Sequence, residues 1–432
     1  MYVGTNVGLF RATPGERDEY SLAPAGLQGQ TVVAVIVDVQ DSQRIYAGTR
    51  DEGVFVSQDG GSTWTASNKG ITHLEVWSMV QHPTTGELYV GTQPPAVLKS
   101  TDQGQTWTNC RSFQDMEESL FWTFPRPPHI AHIKYLHVVP EDAQKVFGAV
   151  EEGWIVRSLD GGAHWETLKQ GVAFDSHAVT TVPGQPEVVI ATSGAGVYRS
   201  ENLGERFVKS DNGIDAGFTG GGYMSPPVVH PERPGTVFAA GAEVPPPFWF
   251  TREQGAKAYF YRSDDGGRTW RKLLGQGVPA EGLRPAPRSA VIDPSDPDTV
   301  LFGLTDGSVW ETRDGGESFH VVAKGLPGWI SGLCVAYPSA ASTRAVESHS
   351  TNGSAAPATN GVEVGQEYEI TISNEIDNPF IGPNGVTRIG DADVRIPHAR
   401  VGQKYRVRVL ALGTNQFTQR TEATIQTVSG PN

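Results

Sequence analysis

The sequence predicts an all-β chain, a ring of repeated antiparallel sheets followed by a small barrel. Three observations predict it. An eight-residue turn sequence occurs six times, each copy follows the same order of strands, and the two ends of the repeat region carry complementary fragments. The copies are SQDGGSTW (Ser57 to Trp64), STDQGQTW (Ser100 to Trp107), SLDGGAHW (Ser158 to Trp165), SENLGERF (Ser200 to Phe207), SDDGGRTW (Ser263 to Trp270) and TRDGGESF (Thr312 to Phe319). A pattern of Ser/Thr-x-Asp-x-Gly-x-x-Trp/Phe returning at about 40–50 residues marks a stacked or radial repeat architecture. Each position has a physical task. Asp59, Asp102, Asp160, Asn202, Asp265 and Asp314 supply an oxygen that accepts turn N–H groups. The glycine takes the positive φ of a tight turn, and the aromatic ring anchors beneath the sheet. These six residues read as structural, with no catalytic task.

Each turn is preceded by three strands. In one unit they are VVAVIVDV (Val32 to Val39), RIYAGT (Arg44 to Thr49) and GVFVSQD (Gly53 to Asp59). The second strand recurs as ELYVGT, KVFGAV, EVVIAT, TVFAAG and TVLFGL, so each unit is a four-stranded meander. One such sheet cannot bury both faces alone, and copies pack face to face around an axis. Complete units begin near Thr31, His73, His129, Ser176, Gly222 and Pro287. MYVGT and GLFRAT at the N-terminus lack a first strand, and WISGLCVAYP (Trp329 to Pro338) is a first strand without followers. Joined, they make a further blade and remove the exposed edges. The expected fold of residues 1–338 is therefore a seven-bladed β-propeller closed by its N- and C-terminal strands.

Composition agrees with this. Fifty-one Gly, 30 Pro and ten Trp in 432 residues suit many short strands and turns. A formal charge of −14 argues against a nucleic-acid footprint over the whole chain. The two cysteines, Cys110 and Cys334, make no disulfide framework. No apolar run reaches the roughly 18 residues that span a bilayer, and MYVGTNVGLF lacks the charged region and long apolar core of a secretion signal. The expectation is a cytoplasmic protein without membrane contact.

On the turn motifs and their strand order, residues 1–338 resemble the BNR/Asp-box, YVTN-like propellers. Sortilin-type receptors, sialidases, xyloglucan-degrading enzymes and photosystem-assembly factors share the motif, so the resemblance implies the fold and leaves the function open. Sialidase chemistry does not fit. The family's Arg-Ile-Pro signature belongs to the first blade, whereas Arg395 to Pro397 lies in the C-terminal domain.

Residues 339–360, SAASTRAVESHSTNGSAAPATN, are small and polar and read as a flexible linker. Beyond it, EYEITIS, GVTRIG, DVRIPHA, KYRVRVLAL and ATIQT are five short strands, enough for a small OB-like barrel over 361–432. The runs VGQEYEI (Val364 to Ile370), Gly-x-x-Arg-Ile-Gly from Gly385, Ile396 to Ala399 and Val-Gly-x-Lys-Tyr-x-Val from Val401 are similar to a TRAM domain. That resemblance implies an RNA partner. Many family members carry Phe where this chain has Arg395, which takes a stacking platform away from that position and leaves Phe380 and Phe417. Arg395, Arg400, Lys404, Arg406 and Arg408 follow one another without an acid, and Arg420 joins them as an expected RNA contact. Alternate residues of a strand share a face, so Lys404, Arg406 and Arg408 project together. A basic face of this kind tracks a phosphate backbone or docks on an acidic surface.

Propeller ligands sit at the mouth of the channel, at the starts of the first strands. The candidate rim residues are Glu75, Trp77, His129, His132, His177, Tyr223, Arg288 and Trp329, with Glu151 and Glu152 reaching the same rim from a second strand. Two aromatic, Pro-rich stretches, EVPPPFWFTREQGAKA (Glu243 to Ala258) and SLFWTFPRPPH (Ser119 to His129), are candidates for a binding lip. No catalytic residue, metal or cofactor is assigned. The favoured function is a non-enzymatic binding or scaffold protein, the propeller taking a protein or small ligand and the barrel taking RNA. The alternative is a glycoside hydrolase or lyase working in the channel, which requires paired carboxylates.

Overall fold

A computed structural model of the chain describes residues 1–15, 19–124, 129–215, 217, 222–334, 366–378, 382–389, 392–397, 400–414 and 421–429. The chain divides into two compact units, Met1–Lys324 with Gly328–Ala336 and Gly325–Pro327 with Tyr337–Asn432. The stretch read as a linker, 339–360, lies outside the described residues.

The first unit is built from antiparallel meanders. One joins Val32–Val37, Ile45–Thr49, Gly53–Ser57 and Thr65–Ala66 in chain order. The same order recurs in the sheets opening with Glu75–Gln81, His132–Val139, Ser176–Val182 and Pro287–Asp293. A further sheet opens differently. Tyr223–Met224 and Val228–Val229 both pair with Val237–Ala242, and Pro226 and Pro227 stand between them. Proline has no N–H for the ladder, so one strand becomes two short ones.

The remaining sheet joins the two ends of the repeat region in the order Ile330–Cys334, Tyr2–Thr5, Gly8–Pro14, Tyr20–Pro24. Tyr2 faces Cys334, Val3 faces Leu333 and Gly4 faces Gly332. First strands neighbour one another in succession, from Val32–Val37 through Glu75–Gln81 and onward to Ile330–Cys334, which returns to Val32–Val37. The second strands Ile45–Thr49 and Leu88–Gln93 are buried along their whole length, as apolar runs covered on both faces must be.

The repeated turns tie each sheet to its neighbour. Asp59 Oδ1 accepts the N–H groups of Ser62 and Thr63 at 3.0 and 2.8 Å. Asp160, Asn202, Asp265 and Asp314 accept the corresponding N–H of His164, Arg206, Thr269 and Ser318, and Asp102 that of Thr106. The aromatic ring reaches across. Trp64, Trp107 and Trp270 give their indole N–H to the carbonyls of Ala25, Ser67 and Ser210 in the preceding unit. A second repeated glycine makes this approach possible. Gly70, Gly171, Gly213 and Gly277 hold positive φ, and a Cβ there would strike the carbonyl of Trp107, Phe207, Trp270 and Phe319 respectively.

The second unit contains a six-stranded sheet in the order Glu367–Thr371, Lys404–Thr414, Thr421–Ser429, Ala392–Pro397, Gly382–Ile389, Asn374–Asn378. Ile370, Ile372, Ile389, Val394, Tyr405, Val407 and Val409 form its core. The strand absent from the sequence reading is Asn374–Asn378. Its sequence, NEIDN, shows no apolar alternation, and its strand character comes from pairing with Gly382–Ile389. No helix among the described residues is long and apolar enough to cross a membrane.

Candidate functional site

The first strands surround a cavity of about 240 Å³. A recurring irregularity builds its wall. In five of the sheets, pairing between first and second strand skips one residue near the start of the ladder, a β-bulge between Val32 and Ala34, Val76 and Ser78, Ile133 and Tyr135, Ser176 and Ala178, and Pro287 and Ser289. The skipped residues are Val33, Trp77, Lys134, His177 and Arg288, and every one lines the cavity. A bulge re-aims one side chain out of the two-residue alternation, and here it does so at equivalent places in successive sheets. The backbone position repeats while its chemistry changes from aliphatic to indole, ammonium, imidazole and guanidinium. Structure fixes the repeat; the side chains are where function can differ.

Lys134 and Glu151 form the centre of the charged wall. Their Nζ and Oε1 lie 2.6 Å apart, Lys134 also donates to Tyr223 Oη at 3.1 Å, and Tyr223 Oη lies 3.4 Å from the same Glu151 oxygen. Burial works against a Glu151 carboxylate, but the Lys134 charge and His132 outweigh it and hold Glu151 well below the usual range. Burial likewise opposes the Lys134 charge, and Glu151 more than compensates. His132 is fully buried, which pushes its imidazole down to about 4 and keeps it neutral at pH 7. Its Nε2 stands 2.8 Å from Glu151 Oε2 but off the line of a good hydrogen bond. Burial pushes the Tyr223 phenol up to about 12, so it stays protonated and able to donate.

His177, also buried, hydrogen bonds through Nδ1 to the Met224 carbonyl at 2.8 Å and sets its Nε2 3.2 Å from Asp175 Oδ1. Burial raises Asp175, but His177 and then Lys134 bring it below its ordinary value. Glu151, Asp175 and His177 offer ligand atoms within 4.8 Å of one another. Lys134 already supplies the cation that these carboxylates face.

Trp77 is the other anchor. Its ring stacks on His132 with centroids 3.2 Å apart, and the Arg50 guanidinium lies 3.1 Å over the ring. Trp77 gives its indole N–H to Glu75 at 3.0 Å, and Arg50 reaches the same carboxylate only at 3.9 Å. Burial and the nearby Arg288 charge lower Arg50 to about 9. Each aromatic loop delivers one ring here. Phe124 packs 5.0 Å from His132, and the buried Trp249 packs edge-on 5.5 Å from Tyr223.

Of the residues expected at the rim, Glu75, Trp77, His132, Glu151, His177, Tyr223 and Arg288 come together. Glu152 stands beside them, its carboxyl raised first by burial and then by Asp175 and Glu151. Trp77, His177, Tyr223 and Arg288 line the cavity itself, whereas Glu75, His132 and Glu151 reach it through their contacts to Trp77 and Lys134; His129 and Trp329 do not line it. His129 is exposed and bonded to the Phe124 carbonyl, because the chain has not yet entered its strand; Trp329 is held at the turn, giving its backbone N–H to Asn6. Three members escaped the sequence reading: Arg50, Lys134 and Asp175. Aligning the repeats at the bulge would have found Lys134, which stands where Trp77, His177 and Arg288 stand.

In the second unit Lys404, Arg406 and Arg408 are exposed on alternate positions of one strand. Arg406 pairs with Glu369 at 3.0 Å and Arg408 with Glu367 at 2.6 Å, the acids directly opposite on Glu367–Thr371. The face is thus less basic than its own strand suggests. The backbone of Arg395 lies in Ala392–Pro397, Arg400 precedes Lys404–Thr414, and Arg420, Phe380 and Phe417 lie outside the described residues.

Repeated sheets, six of them carrying an Asp-turn at a corner, arranged about a central cavity, define an Asp-box β-propeller. The BNR/Asp-box repeat family matches residues 261–272, one of the turns already described. The GH74 xyloglucanase from Xanthomonas campestris is similar in structure with a TM-score of 0.58 at 16% identity, covering 98% of this chain and 64% of that one. An ancestral GH74 enzyme gives 0.52 at 14% identity over 92% and 46%, and the GH74 enzyme of Niastella koreensis 0.50 at 16% over 74% and 46%. This chain therefore spans 46–64% of these three chains, and the likeness speaks for the fold alone. No curated protein matches it in sequence.

Proposed function

We propose that the first unit is a closed, seven-bladed propeller acting as a binding module, which takes a small polar ligand in its central cavity without hydrolysing it. One observation carries the reading: the bulged position of successive first strands presents a different functional group to one cavity. A glycoside hydrolase needs one carboxyl of its pair kept protonated. At the centre of the wall Glu151 is held ionised by Lys134 and Asp175 lies below its ordinary value beside His177, which favours binding there; Glu75 and Glu152, both raised by burial, are the carboxyls a hydrolase would have to use as its acid. Titrating the full chain with small anions and with neutral xyloglucan oligosaccharides, following both binding and product release, tests this. Saturable binding without turnover is the expected result, and steady release of reducing ends refutes it.

For the second unit, the proposal is a TRAM-like barrel that meets RNA through Lys404, Arg406 and Arg408. The support is their exposure on one strand face and the resemblance of the sequence; Glu367 and Glu369 oppose it, since phosphate must displace them. Each neutralised phosphate contributes about 0.7 to the slope of log affinity against log salt on a single strand. Replacing all three with Gln is expected to flatten that slope by about two units in the full chain. A wild-type chain with no salt-dependent binding to single-stranded RNA overturns the proposal.

A further inference from the structure

Cation and acid are unevenly matched across the cavity. Lys134 is satisfied by Glu151 at 2.6 Å and Tyr223 at 3.1 Å. Arg50 has only the longer contact to Glu75 at 3.9 Å, and its Nε is buried without a hydrogen-bond partner. Arg288, projected inward by its bulge, has no ion-pair or hydrogen-bond partner among the described residues. The two guanidinium groups are close enough for Arg288 to oppose the charge on Arg50. Two planar donors facing one small cavity, each with hydrogen-bonding capacity left over, are suited to gripping the oxygens of one anion.

Resting on the binding-module reading above, we infer that Arg50 and Arg288 together hold a small oxyanion, a carboxylate or phosphate group, inside the propeller cavity. Bound there, the anion completes the hydrogen bonding of Arg50 and relieves the repulsion between the two arginines. Apolar neighbours such as Met79, Leu136 and Leu333 line the same cavity and strengthen the interaction by excluding water. A volume of about 240 Å³ has room for inorganic phosphate or a short organic acid.

The test titrates full-length protein with inorganic phosphate and with succinate, reading Trp77 through intrinsic fluorescence and stability through melting temperature. Neutral xyloglucan oligosaccharide is titrated in parallel. Expected is saturable binding of at least one anion that is weakened tenfold or more in R288Q. Because Arg288 holds no internal partner, R288Q should keep the wild-type melting temperature without ligand. If R288Q does not fold, competition by chloride and sulfate in the wild-type chain supplies the same information, since an oxyanion site is displaced by sulfate far better than by chloride. Neutral oligosaccharide binding with no response to any oxyanion overturns the inference and leaves the binding-module reading standing. Anion binding unchanged in a folded R288Q also overturns it. Failure of both ligand classes to bind removes both readings.

Discussion

Replacing Lys134 with Met leaves Glu151 buried without its counter-charge while nearly preserving side-chain length. At the observed 2.6 Å, two unit charges attract by about 6 kcal/mol at an effective dielectric constant of about 20, before desolvation is subtracted. Removing one partner of a buried pair costs about 3–5 kcal/mol, mostly because the remaining charge is stranded. The low end, about 3 kcal/mol, applies here because Tyr223 and His132 still face the carboxylate. The pH dependence has a definite sign. In the native chain Glu151 lies below its ordinary 4.5, so its contribution is present above that value and is lost as pH falls through the lower folded value. In K134M burial dominates and the carboxyl rises, so the variant recovers stability as pH falls toward its unfolded value. The gap between the two proteins therefore narrows from pH 7 to pH 5. Urea midpoints read by tryptophan fluorescence measure this, and K134M/E151Q should recover part of the loss. A K134M midpoint equivalent to less than about 0.5 kcal/mol of destabilisation, or a gap independent of pH, refutes the assigned pairing.

Gly213→Ala forces a side chain into positive φ and against the Trp270 carbonyl, so it should cost more than the roughly 1–2 kcal/mol of the backbone conformation alone. Gly29→Ala, at a similar φ with open space around it, is the control and should melt distinctly higher than G213A. Asp160→Ala should cost about 1–2 kcal/mol by stranding turn N–H groups, with cavity binding unchanged once the protein is folded. Because Asp160 is held near 2 by its bonds to His164, that contribution should persist down to about pH 4 and then fade; a stability difference that already changes at neutral pH counts against it. Deleting residues 1–12 removes the partner of Ile330–Cys334, and the expected outcome is aggregation through the open edge. A soluble deletion with an unchanged melting temperature shows that the pairing is dispensable.

The repeating frame was legible because its signals are local. Each Asp-turn is fixed by residues within eight positions, and the N-terminal fragments named their missing first strand by lacking it. Other features depend on context. Pro226 and Pro227 split a first strand that otherwise reads as one unit, and NEIDN becomes a strand only through its ladder partner. The cavity wall was half visible for the same reason. Trp77, His177 and Arg288 could be named from their places at strand starts, but two-residue alternation describes a regular strand. His132 was named from the same place, while Lys134 stands at the bulge two positions further into the strand, which nothing in its local sequence marks. Arg50 and Asp175 belong to loops, where no periodicity points inward. The basic strand of the second unit erred in the opposite direction: Arg406 and Arg408 were visible together, while the acids that meet them are distant in sequence.

The pairing of Tyr2–Thr5 with Ile330–Cys334 has a consequence for synthesis. Ser331 Oγ reaches the Gly4 carbonyl across 327 positions, so the first hairpin of the repeat region meets its last neighbour only when that region is almost complete. At about 5–20 residues per second the wait is roughly 15–65 s. Throughout it the outer edge of Tyr2–Thr5 keeps unpaired backbone groups, and a second nascent chain on the same message offers an identical edge. Tyr2 and Val3, buried in the finished sheet, are the apolar surface that strand exposes while it waits, and Gly4 adds none. A circular permutant opened between Ala66 and Glu75 would bring the native end strands closer together in synthesis order, separated by the second unit alone, and shift the burden of waiting to a different pair of sheets.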